Sequence, residues 1–373
     1  MRSFAILLAL AAPSFAQTKV GPDAKDLAKV RKSGIDYLIS RQAEDGSWTK
    51  PTAPGISGMV TTALLRSGVK SDHPAIRKAF KHLLSHAKPD GGIYATDSNH
   101  RNYETCIAIL AMTASNKDKR YDQRIAKAVN FLKGLQWDQG EGLKSSDSAF
   151  GGAGYGSHER PDMSNTQYFI EALRAAGVPE NDTNIQNALK FVSRAQNMKS
   201  EHNQLPFADK IRDGGLYYTP AVGGETKAEV APNGGLRSYG SMTYAGLKSF
   251  VYAGLKADDK RVQAAFEWVQ KNYTLEENPG VGLQGLFYYY HVFGRALSIL
   301  EVDYIVDANG KKHDWRKELT ARLIEMERDG FWINKADRWY EGDPHLVTAY
   351  TLMALSYCDP KPVKSAKTNA AAK

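Results

Sequence analysis

The sequence predicts an all-α protein built as a double ring, six outer helices around six inner ones. Three observations carry this. A glycine–x–aromatic mark recurs along the chain. The same pair of helices flanks it each time, amphipathic before and apolar after. The length of 373 residues also exceeds the ~150 residues of a common domain, which calls for two domains or one built of repeats.

The marks are Gly46-Ser47-Trp48, Gly92-Ile93-Tyr94, Gly215-Leu216-Tyr217, Gly285-Leu286-Phe287 and Gly330-Phe331-Trp332, with Gly152-Ala153-Gly154-Tyr155 as an irregular sixth. Asp45, Asp90, Asp213 and Asp329 place a turn at four of them. Before the marks, Ile76, Phe80, Leu83 and Leu84, then Ile125, Val129 and Leu132, follow the spacing of a one-sided helix. The same face recurs in Ile185, Leu189 and Val192, in Val262, Phe266 and Val269, and in Trp315, Leu319, Leu323 and Met326. After the marks come helices that are apolar almost all round, at residues 60–65, 103–112, 168–173, 242–251, 287–300 and 346–355. Such a helix must be buried on every side or line a cavity. An open solenoid of hairpins would need polar end caps, and both terminal units are as apolar as the middle ones. Closure into two concentric rings is therefore expected. Each glycine taken singly is an ordinary turn or helix cap; six in phase with one helix pair are a repeat.

The composition, with 42% hydrophobic residues and two cysteines, excludes a disordered chain and a disulfide framework. The net charge of +8 shrinks by one with Arg2 and by four with Lys361, Lys364, Lys367 and Lys373. A near-balanced body has no basic footprint for nucleic acid. Residues 360–373 are Lys, Ala and Pro with no acidic or aromatic residue, and read as a disordered, solvated tail. Arg2, the apolar run 4–12 and Ser14-Phe15-Ala16 have the form of a secretory signal peptide over residues 1–16. The run is too short for a membrane span, so the mature chain is expected to begin at Gln17, in the periplasm or outside the cell. Residues 17–25 read as a linker and 26–359 as the six-unit body. Cys106 and Cys358 lie in apolar helices of units that are not neighbours, and are expected to be unpaired thiols.

Tyr37-Leu38, Gln42 and Gly46-Ser47-Trp48 form a complete QW motif, with degenerate copies at Phe131-Leu132 and Gln136, at Phe191-Val192 and Gln196, and at Met326 before Gly330-Phe331-Trp332. On these residues the chain resembles the squalene–hopene cyclase and protein prenyltransferase β-subunit superfamily. The resemblance spans roughly residues 26–358 and implies an α/α toroid whose central cavity takes a greasy substrate. It also implies that the Gln and Trp positions tie hairpins together rather than catalyse. The family's chemistry does not carry over. No Asp-x-Asp-Asp occurs, Asp258-Asp259 lies in a polar loop, and neither cysteine has an Asp two residues before it. Zinc-dependent prenyl transfer is not expected, nor any metal or cofactor. Residues 151–156 follow no strand and read as a flexible lip rather than a phosphate loop.

The remaining candidates are polar groups at the entrances of inner helices. Asp343, Glu341 and His345 are the candidate catalytic residues, with Trp339 beside them; Asp343 before Pro344 also reads as a helix cap. Tyr288, Tyr289 and His291, with Arg295 on the same face, are candidate ligand contacts. Tyr239, Tyr244 and Tyr103 hold related places, as do Glu104, Asp162 and Tyr168. Three function classes stay open: binding, with or without conversion, of an isoprenoid or other apolar ligand; a glycosidase or polysaccharide lyase using Glu341 and Asp343 with a further acid; and a non-catalytic scaffold presenting its loops, especially residues 197–235.

Overall fold

Twelve α-helices alternate between the outside and the inside of a ring in the computed structural model, which describes residues 19–49, 53–156 and 160–363. The outer helices are α1 (Ala24–Ser40), α3 (Pro74–Ser85), α5 (Asp122–Lys133), α7 (Thr183–Arg194), α9 (Lys260–Lys271) and α11 (Trp315–Glu325). The inner ones are α2 (Pro54–Arg66), α4 (Arg101–Ala114), α6 (Met163–Ala175), α8 (Gly240–Tyr252), α10 (Leu286–Ile299) and α12 (Pro344–Leu355). Each inner helix packs on the next, and α12 packs on α2. That last contact closes the ring and excludes the open solenoid. In α4 every residue from Glu104 to Met112 is buried, whereas α1 buries one face through Leu27, Val30 and Leu38.

The glycine-bearing turns fix one unit to the next. Gly46 has φ +91°, and a Cβ there would lie 2.2 Å from the Lys78 carbonyl oxygen of α3. Gly151 repeats the contact against Asn187 of α7, and Gly330 makes it against Ser33 of α1, across the closure. Only a residue without a side chain lets the turn and the neighbouring helix backbone approach so closely. Gln42 Nε2 donates to the Gly46 carbonyl at 3.0 Å and to the Ala75 carbonyl at 2.9 Å. Gln136 does the same for Gly151 and Asn184, and Gln196 for Gly214 and Arg261. The buried Trp48 donates its indole N–H back to Leu38 of α1 at 2.7 Å. A further latch went unseen in the sequence. The N–H of Trp48, Ile93, Ala153, Leu216 and Trp332 reaches the hydroxyl of Ser57, Thr105, Thr166, Thr243 and Thr348, each in or near the first two turns of the following inner helix.

Three differences from expectation concern the chain's margins and one of its turns. β1 (Lys19–Val20) pairs antiparallel with β4 (Lys361–Pro362), so ordered structure runs into the expected linker and past residue 359 into the expected tail. Burial of Val20 and the bond from Gly21 N–H to Asp314 Oδ2 at 2.7 Å hold this pair. A second pair joins β2 (Ile305–Val306) to β3 (Lys312–His313). Residues 150–154 are buried and packed against α7 and Pro161, a tight turn rather than a flexible lip. The leader and residues 364–373 lie outside the described residues. Cys106 and Cys358 are both buried and unpaired. No helix among the described residues is long and apolar enough to cross a membrane.

Candidate functional site

Strict alternation of outer and inner helices makes the six inner helices run parallel, so position within a helix measures depth along the axis. The third residues, Tyr103 and Tyr288, stand near the mouth where the helices begin. The thirteenth residues, Arg66 and Tyr252, stand roughly 15 Å lower at 1.5 Å per residue.

At mouth level, Asp162 is buried and caps α6. Its Oδ1 accepts from Asn165 N–H at 2.9 Å and Ser164 Oγ at 2.8 Å, and its Oδ2 accepts from Asn165 Nδ2 at 2.8 Å. Burial raises the Asp162 carboxyl above its ordinary range, against the pull of those donors. The Tyr155 and Tyr218 phenols are pushed up by burial and then by the charge of Asp162, Tyr155 to about 12. Tyr239, buried at the start of α8, responds to burial first and then to Tyr218 and Asp162. Lys227 lies 4.4 Å and Arg160 5.5 Å from the Tyr218 ring centre, and Glu225 pairs with both cations. Burial, then Arg160 and Arg338, lower the Lys227 ammonium. Tyr218, Glu225 and Lys227 come from the 197–235 insertion, which thus supplies part of the mouth.

Below this, tyrosine rings meet across the axis. Ring centres are 5.4 Å apart for Tyr103 and Tyr168, 6.3 Å for Tyr168 and Tyr288, and 5.9 Å for Tyr288 and Tyr350. Where a central cavity was expected, the axis at this depth holds an aromatic cluster, the cup, with a polar layer beneath it. His291 is fully buried, stacked at 5.9 Å on Tyr350, with neither ring nitrogen hydrogen-bonded. Burial lowers its pKa to about 3, so it is neutral near pH 7. Under it lie Glu171, Lys248, Arg66 and Arg295, all from inner helices.

The structure separates the sequence candidates into groups. Tyr288, Tyr103 and Tyr239 join the cup with Asp162 and Tyr168; His291 and Arg295 belong to the polar layer. Trp339 lies on the rim, 38% exposed at φ +59°, over Gly285 and beside Arg338 at 4.7 Å. Tyr289 and Tyr244 lie in the core: their rings pack 5.6 Å apart, both lie against Phe293, and Tyr289 donates to the Thr274 carbonyl at 2.8 Å. The structure places the three candidate catalytic residues at helix caps and unit junctions. Glu341 is buried and caps α10, accepting from Tyr288 N–H at 2.7 Å, Phe287 N–H at 3.2 Å and Asn334 Nδ2 at 2.6 Å. Burial outweighs these donors and raises its pKa to about 7. Asp343 caps α12 through His345 N–H at 2.8 Å and Leu346 N–H at 2.9 Å, while its Oδ2 accepts from Thr49 Oγ1 at 2.7 Å. His345 completes that junction, 2.9 Å from Thr49 Oγ1 and beside the Tyr37 ring, with burial lowering its pKa. Glu341 locks the fifth entrance to the sixth, and Asp343 with His345 locks the sixth to the first. Glu104 likewise accepts from Ala95 N–H at 2.8 Å.

Sequence reasoning missed Tyr155, Tyr218, Lys227, Glu171 and Lys248. A signal existed for the last two, since Glu171 and Lys248 are charges inside otherwise apolar stretches. Among the described residues, no three His, Cys, Asp or Glu side chains group to hold a metal. A cleft of about 600 Å³ between α4, α5 and α6, lined by Thr113, Asp122 and Val129 among others, lies apart from the axis.

Comparison with known proteins places this geometry. Residues 49–210 match the squalene-hopene cyclase C-terminal domain. No curated protein matches the sequence. The type II terpene cyclase MstE from Scytonema superposes with a TM-score of 0.53 at 12% identity, covering 89% of this chain and 98% of that one. A polysaccharide lyase gives 0.54 at 11% identity over 89% and 96%. An alpha-amylase from Clostridium perfringens gives 0.52 at 10% identity over 91% and 100%. At these identities the structural matches speak for the fold. Closed inner ring, paired outer helices and domain match together make the chain a squalene-cyclase-like α/α toroid with the fold of the type II terpene cyclases.

Proposed function

We propose that the protein, exported through its leader, binds the unsaturated end of an isoprenoid or similar apolar ligand in the aromatic cup. The observation that carries this reading is the convergence of Tyr103, Tyr168, Tyr288 and Tyr350 on the axis, with the buried Asp162 and Tyr239 and the half-buried Tyr155 and Tyr218 above them. Ring faces attract cationic and π-rich groups. Concave sites with few polar groups are the usual form of small-molecule sites. Asp162, kept closer to its neutral form by burial, has the environment of a proton donor to a bound alkene; the proton returns to the carboxylate when the product loses one.

Farnesol and geranylgeraniol, titrated against tyrosine fluorescence and checked by native mass spectrometry, test the reading. Saturable binding is expected, weakened at least tenfold, about 1.4 kcal/mol, by Tyr288→Ala. Asp162→Asn should keep the melting temperature, because Asn caps about as well as Asp, and should abolish any isomerised product. Absence of saturable binding to either alcohol refutes the proposal.

A second reading rests on the cations Arg160 and Lys227 at the Tyr218 ring, with Arg338 acting on Lys227, a setting suited to the carboxylates of an acidic polysaccharide, with a phenol as base. Ultraviolet detection of unsaturated uronide from polygalacturonate favours it over the first.

A further inference from the structure

The lower layer of the ring holds more positive charge than the surrounding protein balances. Glu171 accepts from Lys248 Nζ at 2.5 Å and lies 3.5 Å from Arg66 Nη2 and 3.6 Å from Arg295 Nε. Burial would raise its pKa, but Lys248, Arg295 and Arg66 outweigh it and hold the group well below the usual carboxylate range. One carboxylate thus faces three cations, and none of the three has another acidic partner among the described residues. Arg66 Nη1 donates to Tyr357 Oη at 2.6 Å and Arg295 to Tyr252 Oη, so these two bonds go to hydroxyls and not to carboxylates.

Unfilled hydrogen-bonding capacity lies in the same place. Both nitrogens of the fully buried His291, Nε2 of the fully buried Gln167 and Nε of Arg295 have no hydrogen-bond partner. Buried polar groups are ordinarily satisfied, and an uncompensated buried charge is costly. Lys248 is wholly enclosed, whereas the side chains of Arg66 and Arg295 are 20% and 25% exposed. The layer is therefore reached from the face where the inner helices end, opposite the mouth.

We infer that this layer is a second ligand site, which takes a small oxyanion, a phosphate or carboxylate group, against Arg66 and Arg295. An oxyanion there supplies the negative charge that Glu171 alone does not, and its oxygens accept the vacant guanidinium N–H. A competing account exists: cations near the C-terminal ends of helices offset the helix dipoles. That account explains the sign of the charge without requiring any ligand, and it predicts no anion binding.

Calorimetric titration of the full chain with inorganic phosphate, and separately with acetate, in chloride-free buffer at pH 7 decides between them. Saturable one-to-one binding of at least one anion is expected, weakened at least tenfold in Arg66→Gln and in Arg295→Gln and unchanged in Arg328→Gln. Preference for phosphate over acetate would assign a phosphate source, and the reverse a carboxylate source. A measurement on the unmodified protein covers variants that do not fold: the bound anion should protect Arg66 and Arg295, but not Arg328, from phenylglyoxal in peptide mass mapping. No saturable heat with either anion, equal affinity in folded arginine variants, or no selective protection would each overturn the inference. The mouth takes no part in this test, so its outcome is separable from that of isoprenoid binding.

Discussion

Glu341 and His291 are buried titratable groups whose surroundings act in opposite directions on the stability of the fold. For Glu341 the folded pKa is raised from 4.5 to about 7, so the folded state holds the proton more tightly than the unfolded chain. Its contribution is complete below pH 4.5 and is lost as the pH rises through about 7. For His291 the pKa falls from 6.5 to about 3, so stability is complete above pH 6.5 and is lost as the pH falls toward 3. Each shift corresponds to an effect of roughly 3–5 kcal/mol. Urea unfolding between pH 4 and 8 should therefore show Glu341→Gln flattening the decline on the neutral side and His291→Phe flattening the decline on the acid side. Parallel profiles for the wild type and both variants would contradict these environments. The residue scale was also the least legible in the sequence. Carboxylates before a helix suit a cap and an acid catalyst equally well, and the sequence of Glu341 and Asp343 does not say which backbone N–H groups they will meet. Glu171 and Lys248 were concealed differently, each averaged into an apolar helix although they pair across two of them.

At the scale of elements, legibility was high because the same physical requirement recurs. A turn that must touch the backbone of the next outer helix requires glycine, and a helix enclosed on all sides requires apolar residues, so both signals repeat with each unit. Tyr288, Tyr103 and Tyr239 lie at the mouth because they fall where inner helices begin; Tyr289 and Tyr244 pack into the core because a helix turns its successive residues to different faces. The hydroxyl latches from Ser57 to Thr348 escaped notice because a serine or threonine in a helix is ordinary by type. Two glycines separate conformation from contact. Gly46 and Gly68 both have positive φ, +91° and +95°, but a Cβ on Gly46 meets Lys78 backbone whereas one on Gly68 meets nothing within 4 Å. Gly68→Ala should cost only the left-handed strain, about 1–2 kcal/mol. Gly46→Ala adds displacement of the α3 backbone and should cost roughly 2–5 kcal/mol. Equal losses in denaturant unfolding would show that the close approach carries no energy of its own.

The whole molecule is organised along one axis. Parallel inner helices bring their starts to one end and their ends to the other, which separates an aromatic cup around Asp162 from a cationic layer around Glu171 within one ring. The repeat announced the ring, but not what fills it, because depth along the axis depends on position within each helix and the 197–235 insertion follows no repeat. One modest feature, the pairing of β1 with β4, changes how the covalent chain relates to the ring. With Lys19 opposite Pro362 and the last inner helix packed on the first, the chain leaves the ring beside the place where it enters, and the point at which the ring is opened becomes arbitrary. A circularly permuted gene that joins residue 363 to residue 19 through a short glycine–serine linker and opens in the exposed 256–258 loop should encode the same toroid. Its circular dichroism and melting temperature should match the original within a few degrees; an unfolded permutant would mean that the strand clasp needs the native order of synthesis to form.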